Sequence, residues 1–376
     1  MNVVVLVTWG GPFGKRNYYN RQEVGLARAL ADLGHNVEVH KSVPRGTPAA
    51  TEVLGENCLL RDVPSVYVGN QGWFNAGLLR RFRPDAILMF TDLQASSPTV
   101  AKWCVRNGIV FVPYVGSMRT NRTDRRTVER ISRARNFRML RRYPVLTQNL
   151  QVLEELKTEG VSDLRLMPFA LDFAELPKPD LAMRAEARSI FDLTDGPVLG
   201  FVGQMRDFKR PLLLPEVLLK LRETAPWKLV MVGSGPLEEK MQAAIDSADL
   251  HDEVRWEKSL PNREMWKLYA SCDVLVNLNL EEIVGICILE SLYYGTPVVA
   301  VDGPGPSLLI REGRDGFLSA PDVDSICRKI HQAYGQLRGS IDGLESASRF
   351  TWAESASILN SLLLERVPAV RARKAP

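Results

Sequence analysis

The chain has 376 residues, enough for two domains of ordinary size, and 45% of them are hydrophobic, as in a globular protein. No apolar run is long enough to span a membrane, and five scattered cysteines favour a reducing, cytoplasmic compartment over a disulfide framework or a zinc site. Residues 1–180 carry 25 Lys and Arg against 17 Asp and Glu, whereas residues 181–376 carry 23 against 27, so the first half is expected to face an anionic partner.

Short apolar runs alternate with helical patterns in two successive series, and the first run predicts a buried strand rather than a signal peptide. The first series predicts, in chain order, strand 3–7, helix 21–33, strand 37–40, strand 86–90, helix 98–106, strand 109–113, strand 145–147 and helix 150–159. The second predicts strand 198–202, helix 211–223, strand 229–232, helix 237–247, strand 254–256, helix 265–270, strand 274–277, helix 286–294 and strand 298–301. This alternation predicts an α/β protein with two doubly wound, Rossmann-like domains facing across a cleft.

The segment 167–197 contains four prolines and mixed charge, which predicts the linker between the two domains. We expect an N-terminal domain over 1–170, a C-terminal domain over 171–350, and a C-terminal helix over 351–366 that packs back on the N-terminal domain. Residues 369–376 are expected to form a disordered tail. Since ligands of parallel sheets bind beyond the carboxyl ends of the strands, functional residues are expected in the loops that follow strands.

The most informative motif is a pair of glutamates, Glu282 and Glu290, separated by seven residues and preceded by a predicted strand. Gly285 lies between them, where it allows the backbone to approach a ligand closely. If a helix begins at this glycine, the N–H groups of Ile286 and Cys287 would meet a diphosphate. The alternative is that one acid is a solvated loop residue and the other lies on a helix face.

In spacing and context, and with the Gly295-Thr-Pro-Val-Val run that follows, this segment resembles the E-x7-E motif of the retaining GT-B transferases of glycosyltransferase family 4, also called glycosyl transferases group 1. The resemblance is clear over residues 196–320 and partial over 1–40 and 145–172. It implies a GT-B fold, with Glu282 contacting the donor sugar and Glu290 holding the ribose hydroxyls.

A second motif, residues 201–210, matches the family pattern G-R-x4-K-G only in part. In the family the two cations neutralise the leaving diphosphate, and positive charge placed at a developing anion is a large catalytic effect. Lys209 occupies the lysine position, but Gln204 stands where the arginine is expected and Arg210 where the second glycine is expected. Arg206 and Arg210 are the candidates to replace the missing charge. The alternative interpretation is a solvated basic turn.

Weaker matches complete the predicted donor site: the run Val232-Gly-Ser-Gly-Pro-Leu237, the segment around Leu260, and the loop Gly10-Gly-Pro-Phe-Gly14 after the first strand. The predicted catalytic residues are Lys209, Glu282 and Arg206. The predicted donor-binding residues are Glu290, Gly285, Ile286, Cys287, Gln204, Gly203, Gly233, Leu260, Gly10 and Gly11.

No histidine lies between His40 and His251, although the family often places one near the donor sugar, and Tyr114 or Ser117 would occupy that space. The pair Asp322 and Asp324 has the form of a metal-binding DxD motif. It opens a predicted helix, however, where acids cap the N–H groups, so neither a metal nor another cofactor is expected.

Residues 119–142 hold ten arginines, at positions 119, 122, 125, 126, 130, 133, 135, 138, 141 and 142. Apolar residues interleave with them, a pattern that suits an anionic membrane face or a phosphate-bearing acceptor. The alternative is a solvated basic helix. A nucleic-acid partner is not expected because no recognisable binding motif accompanies the charge.

The sequence therefore predicts a retaining glycosyltransferase that moves a sugar from a nucleotide-diphosphate donor, with UDP-sugar preferred and GDP-sugar open. The expected acceptor is a glycan or a lipid-linked molecule, in bacterial polysaccharide or glycolipid assembly at or near the inner face of the membrane. A soluble small-molecule acceptor, a GT-B epimerase or phosphorylase, and a non-catalytic GT-B partner subunit are the alternatives. The last is motivated by Gln204 and by Ser307, which stands where the family usually has a glutamate.

Overall fold

The computed structural model describes residues 1–8, 21–68, 71–118, 126–193, 196–337 and 342–372. The chain divides into two compact units: unit 1 is Met1–Ala170 together with Thr351–Pro376, and unit 2 is Leu171–Phe350. Each unit contains a mainly parallel β-sheet with helical connections, which confirms the predicted α/β class. Gly10 and Gly11 lie outside the described residues, as do Arg119, Arg122 and Arg125.

The described part of unit 1 contains, in chain order, β1 (Asn2–Val7), α1 (Gln22–Asp32), β2 (Asn36–Pro44), β3 (Thr51–Gly55), β4 (Cys58–Ser65), β5 (Tyr67–Val68), β6 (Gln71–Gly72), α2 (Ala76–Phe82), β7 (Ala86–Phe90), α3 (Ser97–Asn107), β8 (Val110–Val115), α4 (Arg126–Leu140), β9 (Val145–Thr147), α5 (Leu150–Thr158) and β10 (Leu164–Leu166). Its main sheet has the order β10-β9-β8-β7-β1-β2-β4-β3. Neighbouring strands run parallel, except that β3 pairs antiparallel with β4.

Unit 2 contains α6 (Met183–Ile190), β11 (Val198–Val202), α7 (Leu214–Arg222), β12 (Lys228–Val232), α8 (Glu238–Ser247), β13 (Val254–Glu257), α9 (Trp266–Ser271), β14 (Val274–Asn277), α10 (Ile286–Tyr293), β15 (Val298–Val301), α11 (Pro304–Leu309), β16 (Gly316–Ser319), α12 (Val323–Leu337) and α13 (Asp342–Ser348). Its strands pair in parallel in the order β13-β12-β11-β14-β15-β16.

Alternate residues of the unit 2 strands enter two separate apolar cores, one on each face of the sheet. In β11, Leu199 and Phe201 join the core beneath α7, α8 and α12, whereas Val198 joins the core beneath α9 and α10. This two-residue alternation of buried side chains explains why these strands are continuous apolar runs in the sequence. The sheet is therefore buried on both faces, and its polar residues collect at the strand ends.

The segment predicted as a linker, 167–197, contains the helix α6, so that prediction was wrong in its second half. Arg184 of α6 donates to Asp273 Oδ1 at 2.7 Å, and Arg188 lies 3.5 Å from Asp273 Oδ2. The side chain of Asp273 is fully buried. Ala187 and Phe191 are buried as well. This helix is thus part of unit 2, because its apolar face and its arginines both find partners there.

The last helix of the chain, α14 (Trp352–Ala372), belongs to unit 1 and packs on α1. A Cβ at Gly25 of α1 would overlap the indole of Trp352, so the glycine allows the two helices to approach closely. The helix continues to Ala372, which corrects the prediction of a disordered tail from residue 369 for the described residues. No helix in the described ranges has both the length and the apolar character needed to cross a membrane.

Candidate functional site

The strand order of unit 2 reverses between β11 and β14. From β11 the chain builds outward through β12 and β13, and it then returns to the other side of β11 with β14. The loops that follow β11 and β14 therefore leave the same edge of the sheet from adjacent strands. Such a topological switch point is where open parallel sheets bind ligands. The Lys209 motif lies in the first of these loops, 203–210, and the glutamate motif begins in the second, 278–285, and continues into α10.

The two loops meet at an ion pair between two of the predicted catalytic residues. Lys209 Nζ donates to Glu282 Oε2 at 2.6 Å, and the side chains are 21% and 13% exposed. Lys209 closes a short 3₁₀ turn after β11, while Glu282 comes from the loop after β14. The partial burial leaves room for a ligand and strengthens the attraction relative to water. The fold thus brings together residues that are 73 positions apart in sequence.

Two amides that sequence reasoning missed fix the same carboxylate oxygen. Asn277 Nδ2 lies 3.3 Å and Asn279 Nδ2 lies 3.1 Å from Glu282 Oε2. Asn279 is itself held by its backbone N–H, which donates to Asn277 Oδ1 at 3.1 Å. The available signal was the polar run Asn277-Leu-Asn279 at the end of an otherwise apolar strand.

The environment of Glu282 favours its ionised form. Burial raises the pKa of this carboxyl, but the charge and hydrogen bond of Lys209, together with the Asn279 and Asn277 amides, outweigh that effect, so the pKa lies below its ordinary value. At neutral pH, Glu282 is therefore a carboxylate. It can accept hydrogen bonds from hydroxyl groups of a ligand.

Gly285 starts α10 beside this pair. Its backbone lies in the left-handed region (φ 77°, ψ 55°), which favours glycine, and a Cβ here would lie 2.8 Å from Ile288 Cδ1, so the Ile288 side chain would have to move. The N–H groups of Ile286 and Cys287, in the first turn, have no intrahelical acceptor. Burial raises the pKa of the Cys287 thiol to about 12, which keeps it neutral next to this electropositive helix end.

Glu290, predicted to hold the ribose, is only 2% exposed. Its Oε2 accepts a hydrogen bond from Tyr269 Oη at 2.5 Å. The Tyr269 ring stacks on Tyr294, with centroids 6.0 Å apart and planes 9° from parallel. Tyr269 was also missed from the sequence, although a buried tyrosine needs a hydrogen-bond partner for its hydroxyl. The ribose contact itself stays a prediction.

The glycines of the loops after β11 and β12 have a packing role that requires no ligand. A Cβ at Gly233 would overlap the carbonyl oxygen of Gly203, and Gly233 has a φ of 151°. Met205 N donates to Ser234 O at 3.0 Å, which joins the loops backbone to backbone. Leu260, in the loop after β13, is partly buried against the unit 2 core.

The structure distinguishes the two candidates for the missing arginine. Gln204 and Arg206 are exposed, and the Arg206 side chain forms no hydrogen bond or ion pair with any residue in the described ranges. Arg210 instead donates from Nη2 to Pro321 O at 2.7 Å. Its φ of 50° lies in the left-handed region, where the family pattern has glycine. Of these two candidates, Arg206 has no side-chain partner in the described ranges, whereas Arg210 is held at Pro321 by one of its nitrogens.

The acidic pair near residue 322 is used within the fold. Asp322 Oδ1 accepts a hydrogen bond from Ser325 N at 2.8 Å at the start of α12, while Asp324 pairs with Lys220. Within the described ranges, no group of three or more His, Cys, Asp or Glu side chains could hold a metal ion.

The described part of the arginine-rich segment is a helix with one basic face. Ile131, Arg135 and Arg138 follow the i, i+4, i+7 spacing of a single helix face, and all three are exposed. Arg133 is engaged differently, since it donates to Glu159 Oε1 at 2.9 Å. The opposite face is buried in the unit 1 core by Phe137, Met139 and Leu140. α4 is thus anchored on one side and basic on the other.

Comparison with known proteins shows which families and folds the chain is similar to. The family model described as glycosyl transferases group 1 matches residues 183–336, which include both loops of the site. A D-inositol 3-phosphate glycosyltransferase of Corynebacterium efficiens is 26% identical over 205 residues, covering 51% of this chain and 48% of that protein. A 2-deoxystreptamine glucosyltransferase of Streptomyces kanamyceticus is 26% identical over 346 residues, covering 82% and 87%.

The solved structure of HepE from Anabaena in complex with UDP matches 97% of this chain and 100% of that one, with a TM-score of 0.73 and 15% identity. At that identity the likeness shows the fold, which is GT-B. The chain spans only about half the length of the inositol-phosphate relatives that it matches.

Proposed function

We propose that the chain is a retaining glycosyltransferase of family 4 that binds a nucleotide-diphosphate sugar in unit 2, a proposal supported by the glycosyl transferases group 1 family model that matches residues 183–336. The observation that carries the proposal is the Lys209–Glu282 pair at the switch point, next to the start of α10. These groups supply the positive charge, the free backbone N–H groups and the carboxylate that such a donor requires.

In this proposal the Lys209–Glu282 ion pair persists when the donor binds. A lysine ammonium has three N–H donors, and one of them is used by Glu282, so the others remain for the diphosphate. The N–H groups of Ile286 and Cys287 would meet the same anion. Glu282 would accept hydrogen bonds from the sugar hydroxyls, with Asn277 and Asn279 holding its carboxylate in place. Charge on the leaving diphosphate is then met by protein groups without a metal.

A UDP-sugar is the preferred donor, supported by the HepE structure, which was solved with UDP. Thermal unfolding with a panel of UDP-, GDP-, dTDP- and ADP-sugars tests the choice, since a ligand at 100 times its dissociation constant stabilises a protein by about 2.7 kcal/mol. NMR of the product would then give the anomeric configuration. An inverted product would refute retention, and no shift with any of the donors would refute the donor site.

For the acceptor we propose a glycan or lipid-linked molecule, used in bacterial polysaccharide or glycolipid assembly by a cytoplasmic protein that associates with the inner membrane face. The basic face of α4, with Ile131 as an apolar anchor, supports contact with anionic lipid.

A soluble acceptor is the second candidate, because the 2-deoxystreptamine glucosyltransferase is matched over most of both chains. A non-catalytic partner subunit is distinguished from both candidates by donor hydrolysis. A purified chain that binds the donor but neither transfers nor hydrolyses it would support the partner-subunit alternative.

A further inference from the structure

Unit 1 has a switch point of its own, between β1 and β7, which lie side by side at the centre of its sheet. The loop after β7, residues 91–96, leaves the sheet there. It is unusually polar for a buried loop: Thr91 and Gln94 are buried and hydrogen-bonded, to Ser97 and Thr8 respectively. By the same rule that places the donor in unit 2, this edge of unit 1 is a ligand-binding edge.

Backbone strain marks one position in this loop. Asp92 and Leu93 have φ angles of 32° and 58°, and they are the only two consecutive non-glycine residues with positive φ in the described ranges. Leu93 is buried in the unit 1 core, which holds the turn in place. Residues kept in sparsely populated backbone conformations cluster at functional sites, so this turn needs an explanation beyond the reversal of the chain.

The strained turn presents the Asp92 carboxylate to the end of β8. Oδ1 accepts hydrogen bonds from Gly116 N at 2.6 Å and Ser117 N at 3.0 Å. A Cβ at Gly116 would lie 3.2 Å from Oδ1 and 3.1 Å from Gln148 Nε2, so the glycine allows this close approach. One carboxylate oxygen is thereby fixed by two adjacent backbone amides.

No other residue in the described part of the chain donates a hydrogen bond to the second oxygen, Oδ2, and Asp92 is exposed. Burial raises the pKa of the carboxyl, while the backbone amides of Gly116, Ser117 and Asp92 itself oppose that effect. The strained turn thus fixes one oxygen of an exposed carboxyl group and leaves the other for a ligand that donates to it.

We propose that Asp92 binds the acceptor through a hydroxyl or ammonium group on its ring, which donates to Oδ2; this rests on the glycosyltransferase function proposed above. The acceptor class is a polyol or an aminocyclitol. A phosphate in the same position would be repelled, since it offers no proton and carries like charge. Asp92 thus selects neutral or cationic ring substituents over anionic ones.

The test compares Asp92→Asn with Asp85→Asn in the full-length chain. Asp85 serves as the control: it precedes β7 at the opposite edge of the sheet, its Oδ2 accepts a backbone N–H from Asn2 at 2.9 Å, and its Oδ1 pairs with Arg371. Binding of 2-deoxystreptamine, myo-inositol and myo-inositol 1-phosphate is measured by calorimetry. Donor binding and donor hydrolysis are measured separately on each variant.

We expect 2-deoxystreptamine or myo-inositol to bind the unmodified chain more tightly than the phosphate. Asp92→Asn should weaken that binding by at least tenfold. If the group that donates to Asp92 is an ammonium, the affinity for 2-deoxystreptamine should fall more than the affinity for myo-inositol. Donor binding, donor hydrolysis and melting temperature should stay as in the unmodified chain, and Asp85→Asn should leave ring binding unchanged. Equal ring affinities for Asp92→Asn and the unmodified chain would overturn the proposal, as would tighter binding of the phosphate. If the unmodified chain does not bind any nucleotide-sugar donor, the proposed function is overturned instead.

Discussion

Replacing Lys209 with alanine removes the ammonium that joins the two loops of the donor site. The lost interaction is a 2.6 Å pair whose side chains are 21% and 13% exposed, so it is stronger than a surface ion pair but is not fully buried. If Lys209 also meets the leaving diphosphate, turnover should fall about 10²–10³-fold, or about 2.7–4 kcal/mol, the effect of removing one preorganised transition-state donor.

The same substitution should change the pH dependence in a defined direction. Burial raises the pKa of Glu282, and in the unmodified chain Lys209 is the main group that offsets it. A carboxyl with a lowered pKa contributes stability above its ordinary pKa and loses it as the pH falls through the lowered value. Without Lys209 the pKa of Glu282 should rise, so the acid limb of the rate profile should move to higher pH.

The assay is turnover and nucleotide affinity from pH 4 to pH 8, with Lys267→Ala as the matched control. Lys267 forms a 2.7 Å pair with Glu264 and its side chain is 23% exposed, but it lies away from the switch point. Both variants lose a lysine of similar burial, so any general cost of losing an ion pair should be shared. Full transferase activity in Lys209→Ala, or an equal loss in Lys267→Ala, would refute the placement of the diphosphate.

Three further outcomes are expected. Tyr269→Phe leaves the buried Glu290 carboxylate short of one donor, which should cost about 1–3 kcal/mol of stability by thermal unfolding and weaken nucleotide affinity more than turnover; unchanged nucleotide affinity would contradict the assigned role. If Arg206 replaces the missing family arginine, Arg206→Ala should cost nearly as much turnover as Lys209→Ala, whereas a mild effect would show that nothing has replaced it. Changing Arg135 and Arg138 together to Gln should abolish salt-sensitive binding to vesicles containing phosphatidylserine while leaving donor binding intact, and equal binding of the unmodified chain to neutral vesicles would leave only a solvated helix.

Periodic apolar patterns predicted the α/β class because buried parallel strands are continuous apolar runs flanked by turn residues. The same rule failed for the hairpin of β3 and β4, where burial alternates and Val53 is exposed at the edge of the sheet. It also failed for α6. The prolines upstream of this helix favoured a linker, and the helix contacts Asp273, which is distant in sequence. Apolar patterns in the sequence predict local structure. The pairing of β3 with β4 and of α6 with Asp273 depends on the fold.

The candidate site followed the same division. Spacing and family resemblance identified Lys209 and Glu282, since each sits in a motif after a strand. The residues that orient the acids could not be found that way: Asn277 and Tyr269 reach their carboxylates through the packing of a strand end and of helix α9. Asp92 was missed because its distinguishing property is a positive φ angle. The presence of an aspartate at that position does not by itself predict a positive φ.

The return of α14 to unit 1 determines the order in which the chain can fold as it is synthesised. Residues 1–170 emerge first, but the face of α1 at Gly25 stays uncovered until Trp352 has been made. Unit 2, which is continuous from Leu171 to Phe350, is therefore the first part that can complete its packing, contrary to the usual N-terminal-first order. A chain ending at residue 350 should give a protease-resistant unit 2 and a readily cleaved unit 1, and resistance of both units would show that α14 is dispensable for folding.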